Sequence, residues 1–254
     1  MLTPDERARA LRFLDAHAPP GTLLQCGVTG AHAYGFLSPD SDVDLKGVHL
    51  APTAALLGLG GPKETHDVLV DFEEVEHDLT THEAAKALGL LARGNGNVLE
   101  RLLSPLQLVA SDDVEALREL ARGAMSTRFA PHYRGFFQGV MREHAREPKV
   151  KSMLYAYRTA LTGVHLLRTG ELEMDLRPLA DRYGFPELHA LVETKRRGEE
   201  KGALDPEDDA RHRARWPELE SMLAAALERS SLPHDVPNRD AMSAWLVERR
   251  LRAL

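Results

Sequence analysis

The run Gly27-Val28-Thr29-Gly30-Ala31-His32-Ala33-Tyr34-Gly35-Phe36-Leu37-Ser38-Pro39-Asp40-Ser41-Asp42-Val43-Asp44-Leu45-Lys46-Gly47-Val48-His49-Leu50 decides how the chain is read. From Ser41 to Leu50 polar and apolar residues alternate, which predicts a β-strand. Side chains on a strand repeat every two residues, so Asp42 and Asp44 share one face, about 6.5–7 Å apart along it. Val43 and Leu45 then point the other way, into a core. Two like charges on one face repel, and a divalent cation relieves the repulsion. Mg²⁺ suits the pair because it takes one or two carboxylates and completes its shell with water and substrate phosphate. Upstream, Thr22 to Val28 is a short buried strand candidate, and Gly27, Gly30 and Gly35 bracket the turn after it. Glycine lets backbone come close to an anion, and the exposed N–H groups of a short following helix would face its phosphates. An Asp-x-Asp pair alone is common on solvent-facing edge strands, and a Gly-rich turn alone is only a turn. Together they put a phosphate cradle ten residues before a metal-holding acid pair, both aimed at one triphosphate.

Working outward, Thr3-Pro4-Asp5-Glu6 predicts a helix start with a capping box and proline at the first helical position. Leu11, Phe13 and Leu14 supply its apolar side, and Pro19-Pro20-Gly21 ends it. After the acid strand comes a Gly- and Leu-rich loop over 51–63. Two further β-like stretches follow, 66–72 and 75–82, separated by Glu73-Glu74. Helices are predicted over 83–93, 97–103, 112–123, 132–146, 149–168 and 240–252, and the charged segment 198–210 is expected to be an exposed loop. The order is that of an α+β front half and an all-helical rear half. The composition shifts near residue 123, which places a first domain over 1–122 and a helical one over 123–254.

The chain of 254 residues is 43% hydrophobic and 28% charged, enough apolar material for an ordinary core and too much for wholesale disorder. Its formal net charge of −7 excludes a general coat on nucleic acid or an anionic membrane, so any polyanion must meet a local basic patch. One cysteine, Cys26, forms neither an internal disulfide nor a cysteine-rich zinc site, and inside a predicted strand it is expected to be a small core residue. The opening MLTPDERARALRF carries no apolar stretch of signal-peptide length, and no apolar run is long enough to span a bilayer. These features set the expectation of a small cytoplasmic enzyme with no membrane partner.

Among the twelve histidines, the His66-Asp67 and His77-Asp78 doublets mimic the pair used by metal-dependent phosphohydrolases. That pair belongs on a helix, and these fall on β-like stretches. His32 and Tyr34 flank the Gly turn, where contact with a nucleotide and a packing role are both open. From Met125 to Ala160 there are seven basic residues (Arg128, Arg134, Arg142, Arg146, Lys149, Lys151 and Arg158) against Glu143 and Glu147 only. Lys151, Tyr155 and Arg158 stand at i, i+4 and i+7, so they share a helix face, beside an apolar stripe of Met153, Leu154, Tyr157 and Leu161. That face either closes over a triphosphate, with Tyr155 near the base or ribose, or is simply solvated. A local excess of five positive charges suits one triphosphate as well as a short RNA end.

Gly30-Ala31, ten residues, then Asp42-Val43-Asp44 resembles the Gly-Ser…Asp-x-Asp signature of polymerase-β-like nucleotidyltransferases. The longer run HAYGFLSPDSDVDLKGVHL is similar to a bacterial and phage branch with RNA-repair-associated members. Asn95-Gly96-Asn97-Val98-Leu99-Glu100 and Thr169-Gly170-Glu171 match later motifs of that branch in order. The resemblance implies a polymerase-β-like core, a small mixed sheet with helices, followed by a helical domain closing the nucleotide cleft. It implies transfer of an NMP from an NTP to an acceptor hydroxyl, such as an RNA 3′ end, with two Mg²⁺ or Mn²⁺ ions. It assigns Asp42, Asp44 and a third acid to the metals and catalysis. That third acid is Asp78, counted back from Asn95, with Glu76 on the same face as the alternative. Gly30, Ala31, Tyr34, Ser41, Lys151, Tyr155 and Arg158 are implied as nucleotide contacts. Ala31 stands where the family usually has a phosphate-holding serine, which raises the alternative of a catalytically impaired nucleotide-binding module. Transfer to a protein or small molecule is the other alternative. Gly96 stands where the family has proline.

Overall fold

The computed structural model describes residues 2–39, 41–109, 111–197 and 204–253. Helix α1 (Pro4–Ala16) starts as its sequence dictates: Glu6 N–H donates to Thr3 Oγ1 at 3.2 Å and Thr3 N–H to Glu6 Oε2 at 2.6 Å. Its buried side chains are Ala10, Phe13 and Leu14, whereas Leu11, expected on the same side, is 39% exposed. Strand β1 (Thr22–Val28), a single helical turn α2 (Ala31–Tyr34) and strand β2 (Val43–Leu50) follow. The 51–63 segment, expected as loop, holds a short helix α3 (Thr53–Leu57) with no buried residue and so no apolar stripe to announce it. Strands β3 (Thr65–Phe72) and β4 (Val75–Glu83) form a hairpin whose two linking residues, Glu73 and Glu74, both take positive φ, as a tight right-twisted hairpin requires.

These strands and β5 (Gln107–Val109) make one sheet in the order β3-β4-β2-β1-β5. β2 and β4 run parallel and the other neighbours antiparallel. One face buries Cys26, Val28, Val43, Leu45, Leu79 and Leu108 against Ala10, Phe13 and Leu14 of α1. Helices α4 (Ala84–Leu91), α5 (Gly96–Leu103) and α6 (Asp112–Arg122) complete this part of the chain. Arg101 of α5 donates to Gly47 O at 3.0 Å, and Gln25 Nε2 to Arg101 O at 3.0 Å, tying α5 to the centre of the sheet.

The rear half is helical: α7 (Ala130–Arg146), α8 (Val150–Thr169), α9 (Leu176–Tyr183), α10 (Leu188–Arg196), α11 (Pro206–Arg213) and α12 (Trp216–Glu228). α8 is buried on nearly every side, its polar Ser152, Arg158, Thr159, Thr162 and His165 included, as a central helix is. The expected 198–210 loop is in part helix α11. Asp205 caps it by accepting from Glu207 N–H at 2.9 Å, and Pro206 takes the first helical position. Residues 198–203 of that expectation lie outside the described residues. No helix among the described residues is long and apolar enough to cross a membrane.

The chain forms two compact units. One comprises Met1–Ala33, Asp42–Ala124 and Val236–Leu254, the other Tyr34–Ser41 and Met125–Asp235. The change of unit after Ala124 lies close to the compositional shift near residue 123. The three other changes of unit, after Ala33, Ser41 and Asp235, have no compositional signal. Residues 34–41 leave the sheet unit for the helical one, and helix α13 (Arg239–Leu251) returns to it. α13 is held there by Arg249 to Asp113 at 2.9 Å and Arg250 to the buried Glu83 at 2.9 Å.

Candidate functional site

β2 alternates as its sequence requires, with Val43 and Leu45 in the core and Asp44 and Lys46 half-buried on the opposite face. Asp42 is also half-buried and lies immediately before the strand. The parallel register sets Asp44 beside Asp78 and Lys46 beside Thr80. Residues in register on neighbouring strands stand about 4.8 Å apart and face the same way, so the two acids adjoin. Lys46 reaches diagonally along this face: its Nζ donates to Asp78 Oδ2 at 2.8 Å and to Thr80 Oγ1 at 3.2 Å. Glu76 is exposed and pairs in register with Asp71 of β3, at the outer side of β4.

The glycine turn closes against this face. Thr29 N–H donates to Asp44 O at 2.9 Å, and Ala33 N–H to Gly30 O at 3.0 Å. Gly30 has φ +63°, and a Cβ there would lie 1.9 Å from Asp44 Oδ2. The turn therefore requires glycine twice over, for its left-handed backbone and for the space the carboxylate fills. Ala31, buried, opens α2. His32, at the same turn, is buried, and burial holds its pKa below the ordinary imidazole value while Glu6 opposes the shift.

The remaining expected nucleotide contacts lie in the helical unit, and most have neighbours of their own. The Arg158 guanidinium sits 3.8 Å from the centre of the Tyr34 ring and is 3% exposed. Tyr155 packs edge-on against Tyr34 and Phe36, with ring centres 5.7 and 5.4 Å away. Ser41 Oγ accepts from Ser38 N–H at 3.0 Å. Lys151 differs from its neighbours on α8 in being exposed. The face expected to carry Lys151, Tyr155 and Arg158 together is thus not uniformly solvated. Its two C-terminal members pack with the aromatic residues of segment 34–41.

Residues 7–248 match the family described as the RNA repair pathway DNA polymerase beta family. The chain belongs to this family. Relatives include the uncharacterised protein YcgL of Bacillus subtilis, 30% identical over 213 residues that make up 79% of each chain. An uncharacterised protein of Methanocaldococcus jannaschii is 25% identical over 150 residues, covering 58% of this chain. That match spans 61% of the archaeal relative, less than two thirds of its length. Among solved structures, a nucleotidyltransferase-like protein from Exiguobacterium sibiricum aligns over 86% of this chain and 74% of its own, with 15% identity and a TM-score of 0.36.

In this polymerase-β family member the Asn95 motif is a helix cap: Asn95 Oδ1 accepts from Val98 N–H at 3.1 Å, and Gly96 occupies the first position of α5, where proline is also tolerated. Thr169-Gly170-Glu171 is the end of α8, with Gly170 left-handed at φ +73°. The two His-Asp doublets lie on β3 and β4. His77 is buried between Phe13 and Phe72, and its Nδ1 bonds to Val75 O at 2.8 Å. His66 Nε2 bonds to His17 O at 3.0 Å. Cys26 is buried and its thiol is pushed up to about 12 by burial, which makes it a core residue rather than a nucleophile.

Among the described residues no three His, Cys, Asp or Glu side chains gather closely enough to form a preformed cage for a metal. The donor set formed by the adjoining Asp44 and Asp78 is carboxylate oxygen. It fits a hard cation such as Mg²⁺, which needs few protein ligands when phosphate completes its shell. Lys46 and Lys195 are residues that the sequence reading passed over. Lys46 stands two positions after Asp44 on the acid face, a signal present in the alternation. Lys195 bonds Ser38 across 157 residues of sequence, which no local pattern signals.

Proposed function

We propose that the protein is a Mg²⁺-dependent nucleotidyltransferase that moves an NMP from an NTP to an acceptor hydroxyl, with an RNA 3′ end as the acceptor, in the cytoplasm. The observation that carries this reading is the contact between the glycine turn and the acid face. Gly30 lies so close to Asp44 that even a methyl group would collide with its carboxylate. A phosphate approaching the turn's backbone would therefore meet the acids directly. Asp42 and Asp44 would hold two Mg²⁺ ions, with Mn²⁺ able to replace them, and Asp78 would join the ion nearest the acceptor. When bound, Mg²⁺ stabilises charge on the α-phosphate and on the departing pyrophosphate. The acceptor oxygen attacks the α-phosphorus as the bond to the bridging oxygen breaks, and pyrophosphate leaves with the bonding electrons. Asp78 takes the hydroxyl proton. The family's description supports RNA as the acceptor.

A second reading is a nucleotide-binding module with impaired transfer. Two observations favour it: Ala31 has no hydroxyl to offer a phosphate, and Asp78 is engaged by Lys46. Incubation with Mg²⁺ and each α-labelled NTP, offering RNA, protein and small hydroxyl compounds in turn, separates the readings. Label entering RNA supports the first, and label entering another pool reassigns the acceptor. Tight NTP binding with no transfer supports the second. Asp42→Ala should cut transfer by about a hundredfold or more, as loss of an electrostatic anchor does. Its melting temperature should not fall, because Asp42 contributes charge rather than core. Full activity in a folded Asp42→Ala protein would remove the assignment.

A further inference from the structure

Strand β4, which carries Asp78, runs directly into α4. Glu83 ends the strand, and its carboxylate caps the helix by accepting from Ala85 N–H at 2.7 Å. α13 belongs to the same unit and is tied to this junction by Arg250 on Glu83, at 2.9 Å. Between α4 and α13 lies a cleft of about 330 Å³. The buried Leu88 and Met242 form its floor with the half-buried Leu246. The exposed Arg93 and Arg239 line it beside Ser243, and no acidic residue is among the described residues of its lining.

Gly89 gives Arg93 its place there. A Cβ at Gly89 would lie 3.5 Å from Arg93 Nη1 and 4.0 Å from Nη2, so the guanidinium folds back beside the bare helix backbone. Glycine weakens a helix relative to alanine, because it gives up more chain freedom and leaves backbone open to water. What it provides here is room, since a long side chain at 89 would fill the cleft and push Arg93 away.

These features select a ligand. In a chain of net charge −7, two guanidinium groups beside an apolar floor attract an anion that also has an apolar body. Guanidinium groups hold phosphate oxygens through paired N–H donors, and the Ser243 hydroxyl adds a further donor. Ligand pockets span about 300–1,000 Å³, and this one stands at the small end, the size for a single nucleotide. An acidic helix, about 10–12 Å across with its side chains, is too broad for it.

We propose that this cleft seats one nucleotide of a single-stranded RNA. Arg93 and Arg239 hold its phosphate, and its base lies on Leu88, Met242 and Leu246. Charge and size point to a nucleotide, and that the strand is RNA rests on the acceptor reading above. The cleft then anchors the acceptor strand on the unit that carries the acid face, upstream of the 3′ end that meets Asp78.

The test is fluorescence anisotropy of a short end-labelled single-stranded RNA on the whole protein at several salt concentrations. It compares wild type, Arg93→Gln, Arg239→Gln and Gly89→Leu. Arg122→Gln, which removes an exposed charge of the same unit, is the control. Loss of one charged contact to phosphate should weaken binding by about tenfold. It should also flatten the slope of log affinity against log salt by about 0.7. Gly89→Leu keeps both charges but fills the cleft. It should weaken binding as much as either arginine variant, with no fall in melting temperature, because leucine favours helix. Arg122→Gln should bind as wild type does, and a poly-glutamate peptide should not displace the RNA. Both arginines are exposed, so their variants keep the test decisive if Gly89→Leu fails to fold. Wild-type affinity in either arginine variant or in folded Gly89→Leu overturns the proposal. So does wild-type protein that binds no RNA, or that releases it to poly-glutamate, the sign of an acidic protein partner. RNA that needs the cleft to bind but takes no label from NTP removes the acceptor reading instead, and leaves the cleft standing.

Discussion

Lys46 Nζ stands 2.8 Å from Asp78 Oδ2 on the strand face that carries Asp44. The side chains are 21% and 39% exposed, so solvent screens the pair, and ion pairs of this kind are worth about 0–1 kcal/mol. So weak a pair can yield to a divalent cation, but the lysine charge still repels one. Lys46→Met should therefore raise Mn²⁺ affinity several-fold while changing stability by less than about 1 kcal/mol. Mn²⁺ titration and thermal melting read the two effects separately. Weaker Mn²⁺ binding in the variant would mean that Lys46 organises the acids rather than competing for them.

Gly30 is the position where one methyl group does the most harm. At φ +63° an alanine pays the left-handed backbone penalty of about 1–2 kcal/mol, and its Cβ would also displace the Asp44 carboxylate, 1.9 Å away. Gly30→Ala should be destabilised by at least that amount and should lose transfer altogether. Gly60, with no atom near its missing Cβ, is the control, and Gly60→Ala should alter neither property. Melting curves and labelled transfer in parallel decide the matter, and an active Gly30→Ala protein would contradict the geometry.

How much of this was legible depends on distance along the chain. β1 and β2 announce themselves because buried runs and strict alternation are local patterns, and Glu73-Glu74 marks the hairpin between two such runs. β5 has only three residues, too few for any period, and exists because Cys26 and Gly27 of β1 offer it a partner. α11 hid behind its charge: only Asp209 and His212 of its eight residues are buried, so it has no apolar stripe to recognise. The acid face was readable from one strand, and the placing of Asp78 beside Asp44 follows from register. The contacts inside the helical unit are long-range. Arg158 and Tyr155 look like a basic, aromatic ligand face in sequence, whereas in the fold they hold Tyr34, more than a hundred residues earlier.

Buried histidines give stability a defined pH dependence. Burial holds His49, His77, His165 and His212 below the ordinary value of 6.5, and burial together with Arg101 and Lys86 takes His82 down to about 4. The unfolded chain protonates these rings near 6.5, while the folded one keeps them neutral to lower pH. Between the two values the unfolded state binds more protons, so stability rises with pH in that window. It is fully present above about 6.5 and is lost as pH falls toward 4. Melting temperature should therefore be lower at pH 5 than at pH 7.5, and His82→Gln should flatten the difference. An unchanged melting temperature across that range would show that these rings are not buried as described.

Ala31 offers the sharpest separation of an active enzyme from a binding module. It opens α2 directly after Gly30, and serine there adds one oxygen without a backbone penalty, because Ala31 has no positive φ. A single added hydrogen bond is worth about 0.5–1.5 kcal/mol, or about two- to tenfold in affinity. Ala31→Ser should tighten NTP binding within that range, measured by calorimetry with Mg²⁺ present. If transfer also rises by a similar factor, the alanine merely weakens a working site. If binding tightens while transfer stays absent, the missing step lies elsewhere on the acid face, and Lys46→Met combined with Ala31→Ser is the variant that should recover it. No change in binding would place the triphosphate away from the glycine turn and remove Ala31 from the account.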